Sequence, residues 1–337
     1  MHPPPDAIAA TTHPDPWPYY AALRQSRPLF FDHGLRLWVA SSAAVVEAAL
    51  VHPHLRVRPP AEPVPKALLG SPTGEVFAQL VRMNDGGFHR EHRPATERAA
   101  AAFSLEVLGT QTALAAADLA GRVDVNAWLS AVPVQAIARM LRVPADQLDT
   151  TVAHVHAFTQ GIAAGADAAT LAAADKAATA LMAQGAAEGL DRVRSANRIA
   201  MMQQSLDATA GLIGNAIARW QREARVPDLA FVEEIACWDP PTHHTRRFAA
   251  GDTELAGQAL AAGDGVLVLL AAANHDPAAR RSFAFGAGAH GCPGERIAVT
   301  IAAAALKSLH ESDGLRRFGA VKGYRPLPNV RIPVFAT

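Results

Sequence analysis

The stretch Phe285-Gly286-Ala287-Gly288-Ala289-His290-Gly291-Cys292-Pro293-Gly294 holds one of only two cysteines in a chain of 337 residues. The run from Glu295 to Leu309 has the spacing of a helix. Pro293 fits the first helical position, where a missing N–H costs nothing. Cys292 therefore precedes a helix N-terminus, whose unpaired N–H groups favour an anion. That lowers a thiol pKa and favours the thiolate. Gly286, Gly288 and Gly294 keep side chains away from the sulfur, so a broad flat group can lie against this backbone. A thiolate presented in this way is a good axial ligand for haem iron. The plainer alternative is a strand–turn–helix holding a buried structural cysteine.

His89 and Arg93 are four apart and share a face if their segment is helical. They suit the recognition of a carboxylate, with Arg93 able to bind it bidentately; a solvated basic helix face is the alternative. Pro94 directly after Arg93 predicts a kink. Asp207 stands in a mostly apolar helical run, followed by Ala208 and Thr209. The adjacent pair His243 and His244 lacks a third ligand at metal-binding spacing. His154 and His156 are two apart and do not share a helix face.

Around these residues the chain must build a core, and half of it is hydrophobic. The net charge is zero, which argues against nucleic acid or an anionic membrane as partner. Cys237 and Cys292 form no CxxC pair, so neither a zinc site nor a disulfide framework is expected. The start lacks the basic and apolar regions of a secretory signal, and the Ala-rich apolar runs are interrupted by charge, which argues against a membrane span. A cytoplasmic location is expected. Residues 1–16 are Pro-rich and read as a flexible N-terminal segment, followed by a single domain over 17–337. Helices are predicted over Trp17–Gln25 and Ala43–Leu50, strands over Leu35–Ala40 and Gly265–Leu270, and a hairpin over Asp252–Leu260. Residues 104–200 are helical and Ala-rich, and the tail from Tyr324 reads as a closing strand pair.

The cysteine stretch resembles, at every fixed position, the haem-binding signature of the cytochrome P450 superfamily, Phe-Gly-x-Gly-x-His-x-Cys-x-Gly. The resemblance implies a mainly α fold with a small β region, compact, with a trimmed meander and a shortened segment before the Glu-x-x-Arg helix. It implies haem b (iron protoporphyrin IX), with Cys292 as the iron's axial ligand and Phe285, Gly286, Gly288, His290 and Gly294 lining the cofactor. His89, Arg93 and Arg247 match the family's propionate-binding residues. Asp207 matches the acid of the acid–threonine pair that delivers protons to bound dioxygen; Ala208 stands in the threonine's place and Thr209 is one residue late. One residue is a rotation of about 100° on a helix, so Thr209 need not point at the oxygen. Ala208, Thr242 and His243 are expected in the substrate pocket, and Gly161–Leu190 falls in the family's lid. Glu234 fits the acid of Glu-x-x-Arg, but Cys237 replaces the arginine. A buried carboxylate without a partner is strongly unfavourable, so Glu234 must be exposed, protonated, or reached by Arg280 or Arg281. Asn274-His275-Asp276-Pro277 resembles the family's Asn-x-Asp-Pro turn.

The function so implied is a haem-thiolate oxidoreductase that hydroxylates or otherwise oxygenates a small organic molecule. It would use dioxygen with ferredoxin and reductase partners, or peroxide. The alternative is a P450-like haem-binding protein without monooxygenase activity (a sensor, a scaffold or a non-oxygenase catalyst), suggested by Ala208, Cys237 and the missing meander.

Overall fold

The structure is a computed structural model, described here for residues 2–223 and 225–337. Twelve α-helices and nine strands are assigned among the described residues. The helices are α1 (Trp17–Ser26), α2 (Ala43–Val51), α3 (Pro72–Ala78), α4 (Gly86–Ala101), α5 (Leu105–Leu119), α6 (Val125–Met140), α7 (Leu148–Gly161), α8 (Ala168–Ala187), α9 (Arg192–Trp220), α10 (Leu229–Trp238), α11 (Leu270–Asn274) and α12 (Glu295–Glu311). The strands are β1 (Leu29–Asp32), β2 (Leu37–Ala40), β3 (Leu55–Arg56), β4 (Thr245–Ala249), β5 (Thr253–Leu255), β6 (Gln258–Leu260), β7 (Gly265–Val268), β8 (Val321–Tyr324) and β9 (Pro333–Phe335).

By its contacts the chain divides into two compact units. One comprises Met1–Ala61, Gly211–Glu295 and Leu315–Thr337; the other comprises Glu62–Ala210 and Arg296–Gly314.

All the strands lie in the first unit. Its main sheet has the order β1-β2-β7-β4-β3, with β2 and β7 parallel and the other pairs antiparallel. Alternation along a strand sends neighbouring side chains to opposite faces. Val266 and Val268 of β7 accordingly join a cluster with α2, Phe283 and Ala287 of the cysteine stretch. Leu267 joins a second cluster with Tyr20 and Leu23 of α1. A strand covered on both faces reads as a continuous apolar run, and β7 is buried throughout. The run expected as one strand to Leu270 ends at Val268, and Leu270 opens α11.

Residues 1–16, expected to be flexible, contribute to this second cluster. Ala7 and Ala10 are fully buried in it. Arg331 holds the segment down: Nη1 donates to the carbonyls of Thr11 at 3.2 Å and His13 at 2.6 Å, and Nη2 donates to that of Pro14 at 3.1 Å.

The second unit is helical throughout. Three of its helices start where the sequence supplies caps: Ser71 accepts from Gly74 N–H, Asp124 from Asn126 and Ala127, and Asp167 from Thr170. Pro94 is accommodated inside α4, which continues to Ala101.

Candidate functional site

In the first unit the cysteine stretch is a tight loop. Cys292 N–H donates to Phe285 O at 2.8 Å, Gly286 N–H to Phe283 O at 2.9 Å, and Gly291 N–H to Gly288 O at 3.0 Å. Gly286 and Gly288 have φ of +70° and +65°, a region that side chains disfavour. At Gly288 a Cβ would also meet Val51 Cγ1 at 3.2 Å and Leu50 O at 3.3 Å, so the loop lies directly on the end of α2. Asn274 and Asp276 position it. Asn274 Oδ1 accepts from Phe283 N–H at 2.6 Å while its Nδ2 donates to Cys237 O at 2.9 Å. Asp276 Oδ2 accepts from Ala43 N–H at 2.8 Å, capping α2 where Ser42 does not. The Asn-x-Asp-Pro turn thus ties the loop to α10 and α2.

Cys292 is exposed, which removes the reading of a buried structural cysteine. Its Sγ accepts from Gly294 N–H at 3.3 Å. Pro293 and Gly294 form a turn, and α12 begins at Glu295, where the helical spacing of the run begins, so Pro293 is not its first helical residue. A backbone N–H aimed at the sulfur still favours the thiolate. Phe285 and His290 are half-buried beside it.

Arg247 on β4 is 5% exposed, and its Nη1 donates to Arg246 O at 2.9 Å and to Thr245 Oγ1 at 3.4 Å. Thr242 is half-buried and bridges to Val330. His243, expected in the substrate pocket, has its ring directed at α1. It is fully buried toward α1, with Tyr20 Oη 2.8 Å from Nδ1 and the Trp17 ring at 5.8 Å. The next imidazole, His244, is buried with Nε2 donating to Pro328 O at 2.7 Å. Burial pushes its pKa down to about 4, so it is neutral at pH 7.

Glu234 has partners, and neither is Arg280 or Arg281. Arg225 Nη1 and Arg219 Nη2 each donate to its carboxylate at 2.7 Å. The Arg225 hydrogen bond, with Arg219 beside it, holds the carboxyl below its usual range. Arg281 instead donates to Gly286 O at 3.2 Å, bracing the cysteine loop.

In the second unit His89 and Arg93 share α4 as expected. His89 is buried, and Arg93 pairs with Glu97 at 2.7 Å. On α9, Asp207 and Ala208 are half-buried, whereas Thr209 is 2% exposed. The accessible side of this helix at that level therefore carries Asp207 and Ala208, and Thr209 is turned away from it.

The donor set of the cysteine loop fits a haem: one exposed cysteine sulfur, bonded to a backbone N–H, on a loop whose glycines project nothing toward it. No protein-family model matches the chain. The putative cytochrome P450 133B1 of Xylella fastidiosa (strain 9a5c) is 31% identical over 137 residues, 34% of this chain and 34% of that protein. The 20-oxo-5-O-mycaminosyltylactone 23-monooxygenase of Streptomyces fradiae is 44% identical over 66 residues, 16% of each protein. The chain spans about a third or less of the length of the curated relatives it matches. Over nearly its whole length the fold matches the crystal structure of P450BioI in complex with an acyl carrier protein ligated to hexadec-9Z-enoic acid. The TM-score is 0.77 at 20% identity, covering 95% of this chain and 97% of that one. The chain therefore has the cytochrome P450 fold, and its matching sequence segments are similar to members of that superfamily.

Proposed function

We propose that the chain is a haem-thiolate monooxygenase that holds haem b through Cys292 Sγ and oxidises a small organic molecule. The observation that carries this reading is the exposed Cys292 sulfur, bonded to Gly294 N–H on a glycine loop within a cytochrome P450 fold. The similarity to a named monooxygenase over a short segment supports it. Haem bound there supplies the activation of dioxygen or peroxide, and a thiolate ligand favours O–O cleavage. The protein's own part is to keep Cys292 deprotonated, which the Gly294 N–H assists, and to hold the loop in shape through Asn274 and Arg281. Asp207 is the proposed proton carrier, its carboxylate acting through water in place of the missing threonine hydroxyl at Ala208. Arg247, His89 and Arg93 are the proposed cations for the propionates, by the resemblance of their sequence motifs. Electrons from a ferredoxin and reductase, or peroxide itself, complete the reaction, and a reducing cytoplasm suits two free cysteines. No helix among the described residues is long and apolar enough to cross a membrane.

The test is optical and catalytic. The reduced protein with carbon monoxide is expected to show the red-shifted Soret band of thiolate-ligated haem, and Cys292→Ala to lose it. Persistence of that band in Cys292→Ala removes the ligand assignment. Product formation with peroxide or surrogate reductases over a substrate panel separates a monooxygenase from a haem binder without that activity.

A further inference from the structure

Arg82 carries no signal in the sequence, yet its surroundings are unusual for a cation. It lies in a single 3-10 turn, Val81–Met83, that leads into α4. Asn197 of α9 fastens the turn: its Oδ1 accepts from Val81 N–H at 3.1 Å and its Nδ2 donates to Gln79 O at 2.9 Å and Val193 O at 2.8 Å. Asn84 closes the other side, with Nδ2 donating to Ala78 O at 3.0 Å and Leu80 O at 2.8 Å. The backbone that carries Arg82 is thus fixed in place by side chains dedicated to it.

The side chain is half-buried. Nη2 donates to Gln203 Oε1 at 2.9 Å, Nη1 meets the Met83 thioether at 3.4 Å, and the buried Nε has no partner. A neutral amide and a sulfur are its hydrogen-bond partners, and no ion pair with a carboxylate is formed among the described residues. Burial pushes the guanidinium pKa down to about 10, with no acid to offset it. Elsewhere in the same unit the buried Arg198 is matched by Glu188 at 2.7 Å. Taking a charge even partly out of water without a counter-charge is unfavourable, and Arg82, with its Nε buried, is in that condition.

We propose that Arg82 is the receptor for one carboxylate that the chain does not itself supply, carried by an organic-acid substrate or by a haem propionate. One guanidinium balances one monoanion, whereas a phosphate dianion would leave excess negative charge at a half-buried site. Beyond the bonds already made, each Nη keeps one hydrogen, and that pair suits the two oxygens of a carboxylate. Gln203 orients the group without neutralising it. The propionate source rests on the haem-binding reading; the organic-acid source does not.

The experiment compares the full native chain with Arg82→Met and Arg82→Gln, before and after haem loading. Without ligand, Arg82→Met is expected to raise the melting temperature, because it removes an unbalanced charge; a lower one marks Arg82 as structural and overturns the proposal. Equilibrium dialysis then sets octanoate, phenylacetate and indole-3-acetate against their primary amides, and haemin against its dimethyl ester. The native chain is expected to bind at least one carboxylate about tenfold more tightly than its neutral counterpart. That preference should vanish in both variants while the neutral ligand still binds. Loss of preference among the acids assigns a substrate carboxylate; loss of preference for haemin over its ester assigns a propionate. Equal affinities across the panel, or a preference unchanged in the variants, overturn the proposal. A chain that takes up no haem but keeps an Arg82-dependent preference for acids defeats the haem-thiolate reading and leaves this one standing.

Discussion

His244 illustrates how one buried ring fixes a pH dependence. In the unfolded chain its imidazole takes a proton near pH 6.5, the ordinary value; in the folded chain burial delays this to about pH 4. Between those values only the unfolded chain is protonated there, so stability is complete above about pH 6.5 and declines as pH falls toward 4. The stake is on the order of 3 kcal/mol. Urea midpoints measured across that window are expected to drop for the native chain and to drop less for His244→Phe. Part of the slope should remain, because burial also lowers His243 and His275. Equal slopes for native and variant chains would refute the assignment. The sequence showed two adjacent histidines but not which way each ring points. The direction is set by Tyr20 for one and Pro328 O for the other, partners far away in the chain. Arg82 was invisible for the same reason: a lone arginine becomes unusual only once its surroundings are known to lack an acid.

At the level of elements, Glu234, which resembles the acid of Glu-x-x-Arg with Cys237 in the arginine's place, is met by two other arginines. Arg219 near the end of α9 and Arg225 in the following loop take Glu234, and Arg219 also pairs with Glu223 at 2.6 Å. Glu234 keeps 32% of its side-chain exposure, so this network belongs with surface ion pairs rather than buried ones. Glu234→Gln is therefore expected to cost about 1 kcal/mol or less by urea denaturation. A loss of several kcal/mol would indicate a buried, structure-determining pair instead. The sequence made the loss of the usual arginine legible. The replacement was not, because Arg219 and Arg225 carry no motif and reach Glu234 only when α9 and α10 are packed. The cysteine loop was the opposite case, since its glycines, cysteine and following helix are consecutive and interact with one another. Even there the helix starts at Glu295 rather than Pro293, a boundary set by the turn that brings Gly294 N–H to the sulfur.

For the whole molecule, a cofactor that binds only the folded chain stabilises it by mass action. Haemin at about a hundred times its dissociation constant should contribute about 2.7 kcal/mol and raise the melting temperature by about 4 °C. Cys292→Ala should need more haemin for the same shift, and a native chain whose melting temperature ignores haemin would exclude specific binding. By itself the sequence determined the helical class, the hairpin of β5 and β6, the strand β7 up to its last two expected residues, and the loop that presents Cys292. These follow from local periodicity, turn chemistry and neighbours a few residues apart. Only the tertiary structure decided that Ala7 and Ala10 join a core cluster and that Arg331 holds the carbonyls of Thr11, His13 and Pro14, that the contacts form two units, that His243 faces α1, and that no acid pairs with Arg82 among the described residues. Each of those outcomes depends on groups distant in sequence meeting, or failing to meet, in a medium where an unpaired charge or polar atom is costly.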